Sequence, residues 1–177
     1  MSSPFLERAL FVIGRQGDGK SSQIRDIFRD RRLHNNGKSR IGEKGSLRDW
    51  VALSNERHLH IRVTSPHEYG DDVETFFDKI ERKSHSASRY RWNFLCALQA
   101  SAFNKMPDPE NVVSHFMKKF EPERTRVLLL YRNYNGTLID SSVLTRIQDG
   151  LDQTCEFYLI DGRRDNGLLI ADFFDFT

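Results

Sequence analysis

Leu10-Phe11-Val12-Ile13-Gly14-Arg15-Gln16-Gly17-Asp18-Gly19-Lys20-Ser21 is the stretch on which the reading of this chain turns. Its first four residues are an unbroken apolar run, the pattern of a strand buried on both faces. The eight residues from Gly14 to Ser21 match G-x-x-x-x-G-K-[ST] at every restricted position. A helix is expected from about Ser21, because Ile24, Ile27 and Phe28 share one face among Arg25, Asp26, Arg29 and Asp30. Strand, glycine-rich turn and helix thus follow one another, the setting in which this pattern carries chemistry. Glycines let successive backbone N–H groups point into one cavity, and the helix start adds the positive end of its dipole. Such a turn suits a polyphosphate. Lys20 is expected to reach the β- and γ-phosphate oxygens, and Ser21 to offer its hydroxyl to Mg²⁺. Gly14, Arg15, Gln16, Gly17, Asp18, Gly19 and Ser22 complete the expected cradle.

Outward from this stretch, residues 34–46 hold glycines, asparagines and cations and read as a loop. Trp50-Val51-Ala52-Leu53 and the alternating His58-Leu59-His60-Ile61-Arg62-Val63 read as an antiparallel hairpin. Val73, Phe76, Phe77 and Ile80 have helical spacing. Trp92 to Leu98 suits strand or helix and is taken as strand. Asp108-Pro109 opens a helix carrying Val112, Val113, Phe116, Met117 and Phe120, with Asp108 as its cap. Val127 to Leu130 is a strand, and Val143, Leu144, Ile147 and Leu151 mark a helix. Cys155 to Ile160 is a strand, Asp165-Asn166-Gly167 a hairpin turn, and Leu168 to Phe174 a last strand. Strands alternating with helices imply a mainly parallel sheet covered on both faces, and the hairpin adds one antiparallel edge.

The 177 residues carry a net charge of +2, too small to argue for nucleic acid, and suit a single domain over 1–177. No apolar run reaches the ~20 residues of a membrane helix. Residues 1–8 lack the features of an export signal. Cys96 and Cys155 sit in apolar stretches and read as buried thiols of a reducing compartment, so the expected location is cytoplasmic.

Gly14 to Ser21 resembles the phosphate loop of the P-loop nucleoside triphosphatase superfamily, and the element order resembles its small-GTPase branch. The resemblance implies an α/β, three-layer P-loop NTPase fold, Mg²⁺ with GTP or ATP, and water attack on the γ-phosphate. In small GTPases the second hairpin strand ends in D-x-x-G. Here Val63 stands for the aspartate that holds the Mg²⁺ shell, and Pro66 for the glycine whose N–H senses the γ-phosphate. His67 falls at the water-positioning place, with Glu68 as a second candidate. The guanine-reading N-K-x-D has its counterpart in Asn133-Tyr134-Asn135-Gly136, which keeps the asparagine but not the lysine or aspartate. Asn133 is a candidate nucleotide contact, and Tyr134 either stacks on a base or is an ordinary loop aromatic.

A second branch leaves a weaker mark. Gly19-Lys20-Ser21-Ser22-Gln23 resembles the helix start of nucleoside monophosphate kinases, for which Arg82, Arg89 and Arg91 would have to supply a lid. A small-molecule or nucleotide kinase is therefore one alternative, and an inactive pseudo-GTPase acting as an interaction module is another. Arg29, Arg31, Arg32, Lys38, Arg40, Lys44 and Arg48 read either as a solvated charged face or as a contact, at the 34–48 loop, for an acidic protein partner, a nucleic-acid backbone or the triphosphate; the resemblance to small GTPases makes Ser39 or Ser46 a candidate for the Mg²⁺-binding threonine of that loop. His58 and His60 share a strand face but lack a third ligand, and are expected on the polar side of an edge strand. Asp161 and Asp172 read as turn or surface carboxylates.

Overall fold

The computed structural model describes residues 5–27, 50–87, 91–151 and 153–175. The glycine- and cation-rich loop at 34–48, with its suggested partner contact, lies outside the described residues. Six strands form one sheet: β1 (Phe5–Gly14), β2 (Trp50–Ala52), β3 (Arg57–Arg62), β4 (Arg91–Gln99), β5 (Arg124–Arg132) and β6 (Glu156–Asp161). Their spatial order is β2-β3-β4-β1-β5-β6. Only the β2–β3 pair is antiparallel; every other neighbour runs parallel. The fold is thus α/β, with a mainly parallel sheet and one antiparallel pair at its edge.

The described helices are α1 (Lys20–Asp26), α2 (Pro66–Tyr69), α3 (Val73–Ala87), α4 (Pro109–Phe120), α5 (Ser141–Leu151) and α6 (Gly167–Phe173). Side chains alternate along β1, so its residues serve two cores. Ala9, Phe11 and Ile13 pack with Phe76, Phe77 and Ile80 of α3, Val112, Val113 and Phe116 of α4, and Ile147 and Leu151 of α5. Leu10 and Val12 pack with Ile24 and Ile27 at α1 and with Ile170, Ala171 and Phe173 of α6. Burial on both faces is what the unbroken apolar run of β1 requires.

Several expectations are corrected. Leu168 to Phe174 is a helix rather than a last strand. Ile170, Ala171, Phe173 and Phe174 are buried, and their spacing presents one helical side to the Leu10–Val12 face. The Asp165 carboxylate accepts from the Gly167 N–H at 2.8 Å and bends the chain into that helix. Asp108 precedes α4 but does not cap it through its side chain. Its carboxylate binds the Ala102 N–H at 2.8 Å and Arg146 at 2.6 Å. The β3 strand is not an edge, because β2 lies outside it. His60 is accordingly buried and stacked on Trp50 at 4.8 Å, rather than lining a polar face. Cys96 is buried, which pushes its thiol up to about 12, while Cys155 is half-buried.

The parallel register gathers the loops that matter. Gly14 is level with Gln99, and Arg132 with Asp161. The segments following β1, β3, β4, β5 and β6 therefore emerge at one end of the sheet, where open α/β sheets place their ligands.

Candidate functional site

The turn after β1 has the geometry its glycines permit. Gly17 (φ 81°) and Gly19 (φ 93°) lie in the left-handed region, which a residue with a Cβ enters only at a cost. Asp18 braces the turn: its carboxylate, almost fully buried, accepts from the Arg15 N–H at 2.8 Å and from Arg15 Nε at 3.2 Å. Lys20 opens α1 and folds back over the turn, its Nζ donating to the Arg15 carbonyl at 2.7 Å. It is only 6% exposed. Burial lowers its pKa, and the carboxylates of Glu68 and Asp18 oppose that effect. A partly desolvated ammonium whose neighbours include a carbonyl is prepared to exchange it for an anion.

Gly17, Gly19, Lys20, Ser21, Ser22 and Gln23 line a cleft of about 430 Å³ together with Val63, Glu68, Tyr134 and Gly162. The Ser21 hydroxyl lies 3.3 Å from the Val63 carbonyl and donates to it. This leaves its lone pairs for the cleft. The residue after β3 therefore does lie beside the serine of the turn, although β4 separates β3 from β1. Glu68, on α2, accepts from Gln99 Nε2 at 3.1 Å, so the end of β4 holds the carboxylate beside the cleft. Of the expected cradle, Gly14 ends β1, and Arg15 and Gln16 face a smaller neighbouring cleft of about 190 Å³ that Gln99, Ser101 and Phe103 also line.

The two remaining candidates are placed differently. His67 is fully buried and does not line the main cleft. Its Nε2 is 2.9 Å from the Pro107 carbonyl and its Nδ1 3.1 Å from the Ser65 hydroxyl. A neutral ring donating from Nε2 and accepting at Nδ1 satisfies both, so the imidazole fastens α2 to the loop before α4 instead of facing a water. Asn133 turns its amide oxygen into its own loop, accepting from Asn135 N–H at 3.0 Å and Thr137 N–H at 2.9 Å. Asp161 likewise serves a turn. Its hydrogen bond with Arg163 holds its carboxyl down at about 2. Among the residues lining the cleft, Gln99's partner Glu68 was the weaker sequence candidate, and Gly162 was not foreseen. Both Gln99 and Gly162 stand at or just after the C-terminal end of a parallel strand, a position that could have marked them.

Of the three arginines considered for a kinase lid, Arg91 is placed away from the turn. Arg91 begins β4 level with Phe5, at the opposite end of the ten-residue β1 from the turn, ~30 Å along the strand direction. Arg89 lies outside the described residues. Gln23, read as a kinase signature, ties α1 to the segment after β6, donating to the carbonyls of Gly162 (3.2 Å) and Arg164 (3.3 Å).

Burial holds the His67 imidazole below its usual range of about 6.5, Lys20 adds to this, and the Pro107 carbonyl acts the other way. Below that value the unfolded chain binds a proton that the folded chain resists. Stability is therefore full above it and falls as the pH drops towards the lowered folded-state value. Thermal unfolding followed from about pH 7.5 to about pH 5 should show this loss, and His67→Gln should flatten the slope. Equal slopes in the two proteins would contradict it.

No family model, curated protein or solved structure matches the chain in comparison. Among the described residues, no helix is long and apolar enough to cross a membrane.

Proposed function

We propose that the protein is a P-loop nucleoside triphosphate-binding protein with a three-layer α/β architecture, which binds ATP or GTP with Mg²⁺ and transfers the γ-phosphoryl group to water in a GTPase-like reaction. The observation that carries this reading is the buried Lys20 ammonium, held at the mouth of a braced glycine turn and opening onto the cleft. A triphosphate supplies the negative charge that burial has made the lysine lack, and the backbone turn supplies N–H groups around it. The Ser21 hydroxyl, with its proton on the Val63 carbonyl, fits a Mg²⁺ that takes few protein oxygens and keeps several waters. When bound, the metal supplies charge neutralisation at the phosphate oxygens.

The steps left to the protein are orientation, proton acceptance and charge stabilisation. Glu68, held by Gln99, accepts a proton from the attacking water. The water oxygen bonds to the γ-phosphorus, and the bond to the bridging oxygen breaks. Lys20 meets the charge that develops on the departing diphosphate. His67 has no part in this, since both ring nitrogens are engaged elsewhere.

Phosphate release from Mg²⁺-ATP and Mg²⁺-GTP tests the reading. Glu68→Gln should lower turnover by roughly 10²- to 10⁴-fold. Unchanged turnover would remove Glu68 from the mechanism. A second reading, a binding module without turnover, is favoured by Val63 and Pro66, which stand where the resemblance calls for a Mg²⁺-shell aspartate and a γ-phosphate-sensing glycine. Stabilisation by triphosphates with no phosphate released would select it.

A further inference from the structure

We infer that this site holds its nucleotide's base by the face rather than by the edge, on Tyr134, and so takes purine nucleoside triphosphates without choosing between ATP and GTP. The inference rests on the proposed phosphate cradle and adds the substrate class to it. Tyr134 is 60% exposed, yet its ring walls the same cleft as Lys20 and Ser21. The ring edge stands 3.8 Å from where a Cβ on Gly19 would lie, so the aromatic face begins directly beside the phosphate turn. The loop that carries it is closed by hydrogen bonds. Asn133 N–H donates to the Thr137 carbonyl at 2.9 Å, Gly136 N–H to the Asn133 carbonyl at 3.0 Å, and the Asn133 amide oxygen takes two more N–H groups. A preformed aromatic platform orders a base at little entropic cost.

Edge reading needs polar side chains with hydrogen-bonding capacity to give, and among the described residues several near the cleft have theirs engaged. Asn133 closes its own turn, and Gly136, where the guanine-reading pattern has an aspartate, has no side chain. Gln23 donates to two carbonyls and accepts from Asn166 Nδ2 at 2.8 Å. Arg163 is bound to Asp161 through Nη2 at 2.8 Å and Nε at 3.1 Å. Ser22 offers a hydroxyl, but a hydroxyl donates or accepts by rotating, so it serves the adenine and guanine edges equally. The contact Tyr134 offers is stacking, which every base provides and the larger purines provide best.

The experiment compares dissociation constants of the Mg²⁺ forms of ATP, GTP, CTP and UTP and of inorganic tripolyphosphate, for the wild type, Tyr134→Ala and Tyr134→Phe. ATP and GTP should bind within about threefold of each other and more tightly than CTP and UTP. Tyr134→Ala should weaken the purine nucleotides by roughly 5- to 150-fold and leave tripolyphosphate within about threefold. Tyr134→Phe should keep wild-type affinity, since stacking needs the ring and not the hydroxyl. ATP and GTP differing more than about tenfold, or nucleotide affinity indifferent to Tyr134→Ala while tripolyphosphate still binds, overturns the inference and leaves the cradle standing. Failure of tripolyphosphate and every nucleotide to bind the wild type overturns the cradle itself.

Discussion

Lys20→Ala is expected to yield a folded protein that no nucleoside triphosphate stabilises. Lys20 is the cation that opens onto the cleft beside Ser21, and its charge is maintained against burial by Glu68 and Asp18. With ligand at about a hundred times its dissociation constant, the wild type gains about 2.7 kcal/mol. In a chain of this size that corresponds to an upward shift of melting temperature of roughly 5–11 °C. In the variant the anion meets backbone N–H groups without a countercharge, next to two carboxylates, and the shift should vanish. The unliganded variant should melt no lower than the wild type by more than the lost packing of the aliphatic stem. Lys20→Met keeps that stem and separates packing from charge. Thermal shift with each Mg²⁺-nucleotide reads both, and a stabilisation retained by either variant would remove the lysine from the site.

Phe116→Ala is expected to have the largest effect on stability, about 3–5 kcal/mol. Phe116 is fully buried on α4, at the meeting point of the helices and the central strands. It stacks on Phe94 of β4 with centroids 5.0 Å apart and meets Phe11 of β1 edge-on at 5.2 Å. On the helical side it touches Phe77 of α3 at 5.8 Å and Phe120 at 4.6 Å. Truncation removes the transfer free energy of the ring and opens a hole among four aromatic partners, which cannot collapse without moving a strand. Urea unfolding should show the loss in the midpoint with little change in slope. Phe116→Leu should cost clearly less, and a cost below about 1 kcal/mol for Phe116→Ala would mean that α4 does not close this core.

The strand, glycine-rich turn and helix from Leu10 to Asp26 were the most legible part of the chain, because their geometry depends on an apolar run and on backbone freedom at Gly17 and Gly19, both local properties. The hairpin at 50–62 and the helices beginning near Val73, Pro109 and Ser141 were legible for a similar reason: period and turn residues act over a few positions. Leu168 to Phe174 was misread because a short run of apolar residues satisfies either a strand or a helix, and only the α1 face waiting for Ile170 and Ala171 decides. The burial of His67 was not legible, because an exposed loop and a buried one share the same residues. Pro107, forty positions away in sequence, supplies the carbonyl that turns the imidazole inward.

By itself the sequence determined the class of the fold, the place of a glycine-rich turn within it and the absence of a side chain at Gly136. Only the tertiary structure decided that β4 stands between β1 and β3, that Gln99 thereby meets Glu68 beside the cleft, and that Tyr134 closes over Gly19. Local pattern depends on neighbours along the chain, whereas a site is made where strands far apart in sequence end side by side, and that adjacency is set by which buried faces pack together.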